Sequence, residues 1–128
     1  MTSRLLLDSH VTLWWLDPDG PISTDVRGLI DDASNEVVVS AASVWELGIK
    51  RAQGRLQVPD DMLVALDVQE IDILDVTGAH AAVAAELPMH HKDPFDRMLI
   101  AQALHDDYVV VTADRVFADY GVAVVSAR

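Results

Sequence analysis

Three uninterrupted apolar runs, Leu5-Leu6-Leu7, Val37-Val38-Val39 and Val109-Val110-Val111, constrain the fold most. Successive strand side chains point to opposite faces, so a strand with one face in water alternates polar and apolar residues. A strand apolar at every position needs cover on both faces, as in a parallel sheet between helical layers. The intervening segments supply the helices. Residues 9–16 form a short helix that Asp17-Pro18-Asp19-Gly20-Pro21 ends, and Ser23 or Thr24 caps a second helix to about 32. Residues 36–40 form the second strand, running into a helix over 41–53 that Gly54 stops. Pro59 opens a helix to about 68, a weaker strand covers 71–74, and an alanine-rich helix covers 77–87. After the loop 88–92 come a further helix, a strand over 108–112, a short helix over 114–120, a break at Gly121 and a last strand over 122–125. This alternation predicts one α/β domain spanning 1–128, a three-layer α/β/α sandwich around a central parallel sheet.

Composition narrows the function. Hydrophobic residues make up 51% of the 128 positions, enough for a core and too many for a disordered chain. The absence of cysteine excludes disulfides, thiolate metal sites and a cysteine nucleophile, and fits a reducing cytoplasm. The first apolar run is too short for a secretion signal, and no run is long enough to span a bilayer, so a soluble protein off the membrane is expected. A net charge of −12 argues against a passive nucleic-acid binder and toward a basic protein partner, a cation-loaded site, or both.

The stretch Lys92-Asp93-Pro94-Phe95-Asp96-Arg97 reads as a helix start. Asp93 suits the N-cap, Pro94 the first helical position and Asp96 the third. At about 100° per residue, Leu99, Ile100, Ala103 and Leu104 define the apolar arc, and Asp96 points into its middle. A carboxylate aimed at the packed side is costly unless something positive meets it. The helix N-terminus supplies part of that and a metal ion would supply more. Other acids fall where they can join it. Asp8 ends the first strand, Glu46 lies in the helix after the second, and Asp114 follows the strand 108–112. In a parallel sheet these positions share the carboxyl edge, where ligands bind. No basic residue is evident among them, so a divalent cation is their natural partner, magnesium or manganese for an all-oxygen donor set. Each acid also has a purely structural reading. Asp8, Asp93, Asp96 and Asp114 can be helix caps, and Glu46 a solvated surface residue.

Four segments in this order resemble the PIN-domain nucleases, and within them the VapC-type toxins of toxin–antitoxin pairs. They are Leu6-Leu7-Asp8-Ser9-His10, Ser40 to Leu47 with Ile49-Lys50, Asp93 to Ala101, and Thr112-Ala113-Asp114. The resemblance implies an endoribonuclease dependent on Mg²⁺, with Mn²⁺ as substitute, and maps an acidic quartet onto Asp8, Glu46, Asp96 and Asp114. Asp8 and Asp96 would be the principal ligands. Glu46 would bind directly, bind through water or help activate the nucleophile. Asp114 would act directly or through water, supported by Thr112. It further implies a VapB-like antitoxin that places a basic side chain among the acids, and a homodimer. RNA is preferred over DNA on the resemblance alone. A non-catalytic scaffold would keep the fold without the acids, and a phosphoacceptor receiver would need a lysine after its last strand.

Residues near the acids carry weaker expectations. Asp93 is read as an N-cap before a metal ligand, and Arg97 as a contact to a substrate phosphate or a solvated arginine. His90, His91 and Lys92 are read as a solvated loop, with RNA-backbone contact as the alternative. His10 either orients Asp8 or lies on the surface. Of the tryptophans, Trp45 is read as core, and the adjacent Trp14 and Trp15 cannot share one core, which puts one of them in a partner groove.

Overall fold

The structure, a computed structural model, describes residues 2–128. Five strands, β1 (Arg4–Leu7), β2 (Glu36–Ser40), β3 (Asp72–Leu74), β4 (Val109–Thr112) and β5 (Val124–Ser126), form one parallel sheet in the order β3-β2-β1-β4-β5. Six α-helices connect them: α1 (Ser9–Leu16), α2 (Thr24–Asp31), α3 (Ala41–Ala52), α4 (Met62–Val68), α5 (Gly78–Glu86) and α6 (Pro94–Asp106). A 3-10 helix, Arg115–Tyr120, lies between β4 and β5. Among the described residues no helix is long and apolar enough to cross a membrane.

The register explains why the central strands are apolar throughout. Leu5, Leu6 and Leu7 pair with Val37, Val38 and Val39 on one side and Val109, Val110 and Val111 on the other. Leu5, Leu7, Val37, Val39 and Val111 enter a core with Val11 of α1, Val26 and Ile30 of α2, Leu47 of α3 and Leu66 of α4. Leu6, Val38 and Val110 enter a second core with Leu99, Ile100 and Ala103 of α6 and Phe117 of the 3-10 helix. Helix α5 packs on α6. The three-layer sandwich follows from this division.

Several expectations are corrected. Helix α4 starts at Met62 because the Asp61 carboxylate accepts from Val64 N, whereas Pro59 only tolerates a helix start. The last strand is Val124–Ser126, because Gly121 turns the chain at φ 76° and Val122 drops into the second core. Leu104 is exposed, while Ala101 and Gln102 are buried. Trp14 and Trp15 both lean on the first core, covered by Arg128 and Arg27 respectively. Trp45 is the exposed tryptophan, at 66%. With Phe95, in edge contact at 5.3 Å, it walls an apolar groove of about 460 Å³ with Ala41, Val76, Pro94 and Met98.

Arg97 is not a solvated arginine. Its guanidinium donates to Ala84 O (3.0 Å), Leu87 O (2.9 Å) and Pro88 O (2.9 Å). These carbonyls lie at and just beyond the C-terminal end of α5, where intrahelical donors run out and only Ala84 O has a long backbone bond, from Leu87 N at 3.4 Å. One planar fork thus ties α5 to the start of α6. Arg97→Ala should destabilise the fold by about 2–3 kcal/mol in urea titration, and Arg97→Lys should not restore it, because a single ammonium cannot span those carbonyls.

Candidate active site

Strand β1 sits between β2 and β4, so the connections leaving the carboxyl edge diverge there and leave a crevice. Asp8 enters it as the residue after β1. It caps α1 through Oδ1, which accepts from Val11 N at 2.8 Å, and its Oδ2 accepts from Thr112 Oγ1. Thr112, the last residue of β4, also accepts from Asp114 N at 3.0 Å. One hydroxyl therefore ties the end of β1 to the turn after β4. Asp114 caps the 3-10 helix, with Oδ1 accepting from Val116 N at 2.9 Å.

Glu46 is not a solvated surface residue. Only 3% of it is exposed, because α3 turns it inward behind β2. Its Oε1 accepts from Ser9 Oγ at 2.6 Å, and its Oε2 meets Lys50 Nζ at 2.7 Å, one turn along α3. Ser43 Oγ lies 3.0 Å from Ser9 Oγ and completes a buried polar chain. Lys50 therefore corrects the expectation of acids without a basic neighbour. The i,i+4 spacing to Glu46 was the available signal.

Asp93 is the N-cap of α6, its Oδ1 accepting from Phe95 N (2.8 Å) and Asp96 N (3.2 Å), and Asp96 follows as the third helical residue. Among the described residues no donor hydrogen-bonds to the Asp96 carboxylate. The side chain nearest to it is His91, whose Nε2 lies 3.0 Å from Asp96 Oδ2 and 3.0 Å from Asp114 Oδ2. His91 is thus not in a solvated loop. Its side chain is only 18% exposed, while His90 and Lys92 on either side are exposed. Its spacing of five residues to Asp96 and 23 to Asp114 carries no sequence signal. His10 is exposed, lies 6.1 Å from Trp14 and makes no hydrogen bond to Asp8. Together with Asp8, Trp14, Ala113 and Asp114 it lines an open cavity of about 330 Å³ at the mouth of the crevice.

A PIN domain model matches residues 5–123. The chain belongs to the PIN domain family. Ribonuclease VapC22 of Mycobacterium tuberculosis (strain ATCC 25618 / H37Rv) is 33% identical over 116 residues, covering 88% of each chain. The fold is similar to solved complexes: DNA-bound VapBC from Salmonella typhimurium (TM-score 0.71, 17% identity, 96% of this chain and 97% of that one) and VapBC2 from Rickettsia felis bound to a promoter DNA fragment (0.70, 13%, 95% and 97%).

The electrostatics of this PIN domain follow from burial. The Asp96 carboxyl is pushed up to about 7, first by burial and then by the charge of Asp93; His91 opposes the rise, and Glu46 and Asp8 add to it. Asp8 is also raised, by burial first, against its bonds from Thr112 and Val11, with Asp114 adding to the rise. Four acids therefore feel one another across one crevice, and Asp96 bears the largest unrelieved cost. An oxygen-rich donor set with one unpartnered carboxylate fits a hard divalent cation.

The sign of the pH dependence follows. Between about 4 and 7 the folded chain holds a proton on Asp96 that the unfolded chain has released, so this group's contribution to stability falls as pH rises through that window. Without metal, Asp96→Asn should be more stable than the wild type at pH 8 by roughly 1–3 kcal/mol, with the difference vanishing below about pH 4. Urea titrations of both proteins across pH measure it.

Proposed function

We propose that this chain is a metal-dependent endoribonuclease, the toxin of a type II toxin–antitoxin pair acting in the cytoplasm. One observation carries the reading: Asp96, whose carboxyl is raised by burial and by the charges of Asp93, Glu46 and Asp8, stands with Asp114 around His91 at the carboxyl edge of the sheet. Asp8 and Asp96 would hold Mg²⁺, or Mn²⁺ in its place, and Asp114 would complete the cluster. The ion, when bound, would lower the pKa of a water, set it in line with a phosphodiester and offset charge on the departing oxygen.

The chain's own residues set the frame for that chemistry. Thr112 holds Asp8 in position, and Ser9 and Lys50 fix the two oxygens of Glu46. The Arg97 guanidinium serves the fold by holding the C-terminal end of α5. RNA is preferred because the relative at 33% identity is named a ribonuclease.

The net charge of −12 suits a basic, VapB-like antitoxin, and the solved VapBC complexes share this fold. A homodimer belongs to the same proposal, formed across the Trp45 groove. Its walls carry no ionised side chain, so two strongly acidic copies can meet there without opposing like charges.

Antitoxin-free protein incubated with total cellular RNA should generate discrete new 5′ ends with Mg²⁺ or Mn²⁺, none with EDTA and none for Asp96→Asn. A folded wild type that cuts nothing under either metal would sink the nuclease reading; cuts confined to DNA would redirect it. In light scattering, Trp45→Glu should convert a dimer into a monomer.

A further inference from the structure

His91 has four fixed points. Its backbone N–H donates to Tyr120 Oη at 2.7 Å, and that hydroxyl donates onward to Pro88 O at 2.7 Å. Its ring meets Phe117 edge-on at 6.2 Å. Asp93 N donates to Nδ1 at 3.1 Å. Nε2 then reaches Asp114 Oδ2. A nitrogen that accepts a hydrogen bond carries no proton, so the Asp93 N–H assigns the ring proton to Nε2. Nε2 is therefore a donor aimed between two carboxylates, and its lone pair is not available to a metal.

The same lock occurs at His80, where Thr77 N donates to Nδ1 at 3.1 Å and Nε2 meets Asp106 at 2.7 Å. That cluster lies at the α5–α6 contact and closes a capping box. At His91 the locked donor faces the proposed catalytic acids instead.

We propose that His91 is a positioning residue of the acidic site: its Nε2–H, oriented by Asp93, holds Asp114 beside Asp96, so that an incoming divalent cation meets carboxylates already in place. The proposal rests on the metal-dependent reading above. His91 acts through Asp114 and is not a ligand. Its rigid seating distinguishes it from a plug that swings aside, since the ring is held at Nδ1, at its backbone and on its face. It also gives Asp93 a second role: the residue that caps α6 with its carboxylate fixes the His91 tautomer with its N–H.

The test combines ring NMR with metal titration. In long-range ¹H–¹⁵N spectra of the metal-free protein, His91 should show a protonated Nε2 and a bare Nδ1, with the Nε2 shift moving in Asp114→Asn. The same tautomer should persist with Mg²⁺, which is diamagnetic and leaves the ring visible. In calorimetry, His91→Ala should weaken Mn²⁺ and Mg²⁺ binding by about 10–100-fold, the range seen when an outer-shell partner is removed. His91→Gln, whose amide places a donor near the same point, should stay within about threefold of the wild type, with far-UV circular dichroism confirming that both variants fold.

Tighter or unchanged binding in His91→Ala overturns the proposal and leaves the nuclease reading intact. A proton on Nδ1, or loss of the Nε2 proton on Mg²⁺ binding, also overturns it. A wild type that takes up neither cation overturns the metal reading, and this proposal with it.

Discussion

The cost of gathering carboxylates in half-buried ground governs this molecule. Asp8, Glu46, Asp96 and Asp114 come from four connections and meet at one edge of the sheet. Each needs compensation, and the fold supplies it unequally. Asp8 has the α1 N-terminus and Thr112, Glu46 has Ser9 and Lys50, and Asp114 has the start of the 3-10 helix and His91. Asp96 has its helix N-terminus and one close imidazole, with Asp93 adding repulsion. The strain is thereby concentrated on one side chain at the mouth of the crevice, where a cation relieves it best.

The structural and chemical readings of these acids turn out to be compatible. A capping carboxylate spends one oxygen on backbone N–H groups and leaves the other to point elsewhere. Asp8 and Asp114 both do this: Oδ1 serves a helix, while Oδ2 faces Thr112 or His91. Parallel topology makes this economical, because every strand ends at the same edge and every following helix begins there with free N–H groups. Fold stability and site geometry therefore share residues around the crevice. The hydroxyls of Ser9, Ser43 and Thr112 are buried there and bond to the acids or to one another.

Much of this was legible in the chain. The apolar runs of β1, β2 and β4 required cover on both faces, and the cap residues Ser23 and Asp93 stand where helices α2 and α6 begin. The errors share a cause. Periodicity puts Leu104 on the apolar arc of α6 and residue type makes Trp45 core, but exposure depends on which neighbouring element arrives on which side. Helix α5 packs on α6, and among the described residues Trp45 stays 66% exposed with Phe95 against its edge. The start of α4 was misplaced because a permissive proline was given more weight than a carboxylate with a backbone donor to satisfy.

By itself the sequence determined the parallel sheet, the alternation of its layers, most of the helix starts and the order of the acids along the chain. These are decided within a few residues, by side-chain periodicity and by backbone groups that only a neighbour can satisfy. The tertiary structure alone decided that Arg97 closes α5, that Glu46 is buried against Ser9, and that His91 stands between Asp96 and Asp114. Those contacts join segments far apart in the chain, and their partners are set by how helices pack on the sheet, which no local pattern encodes.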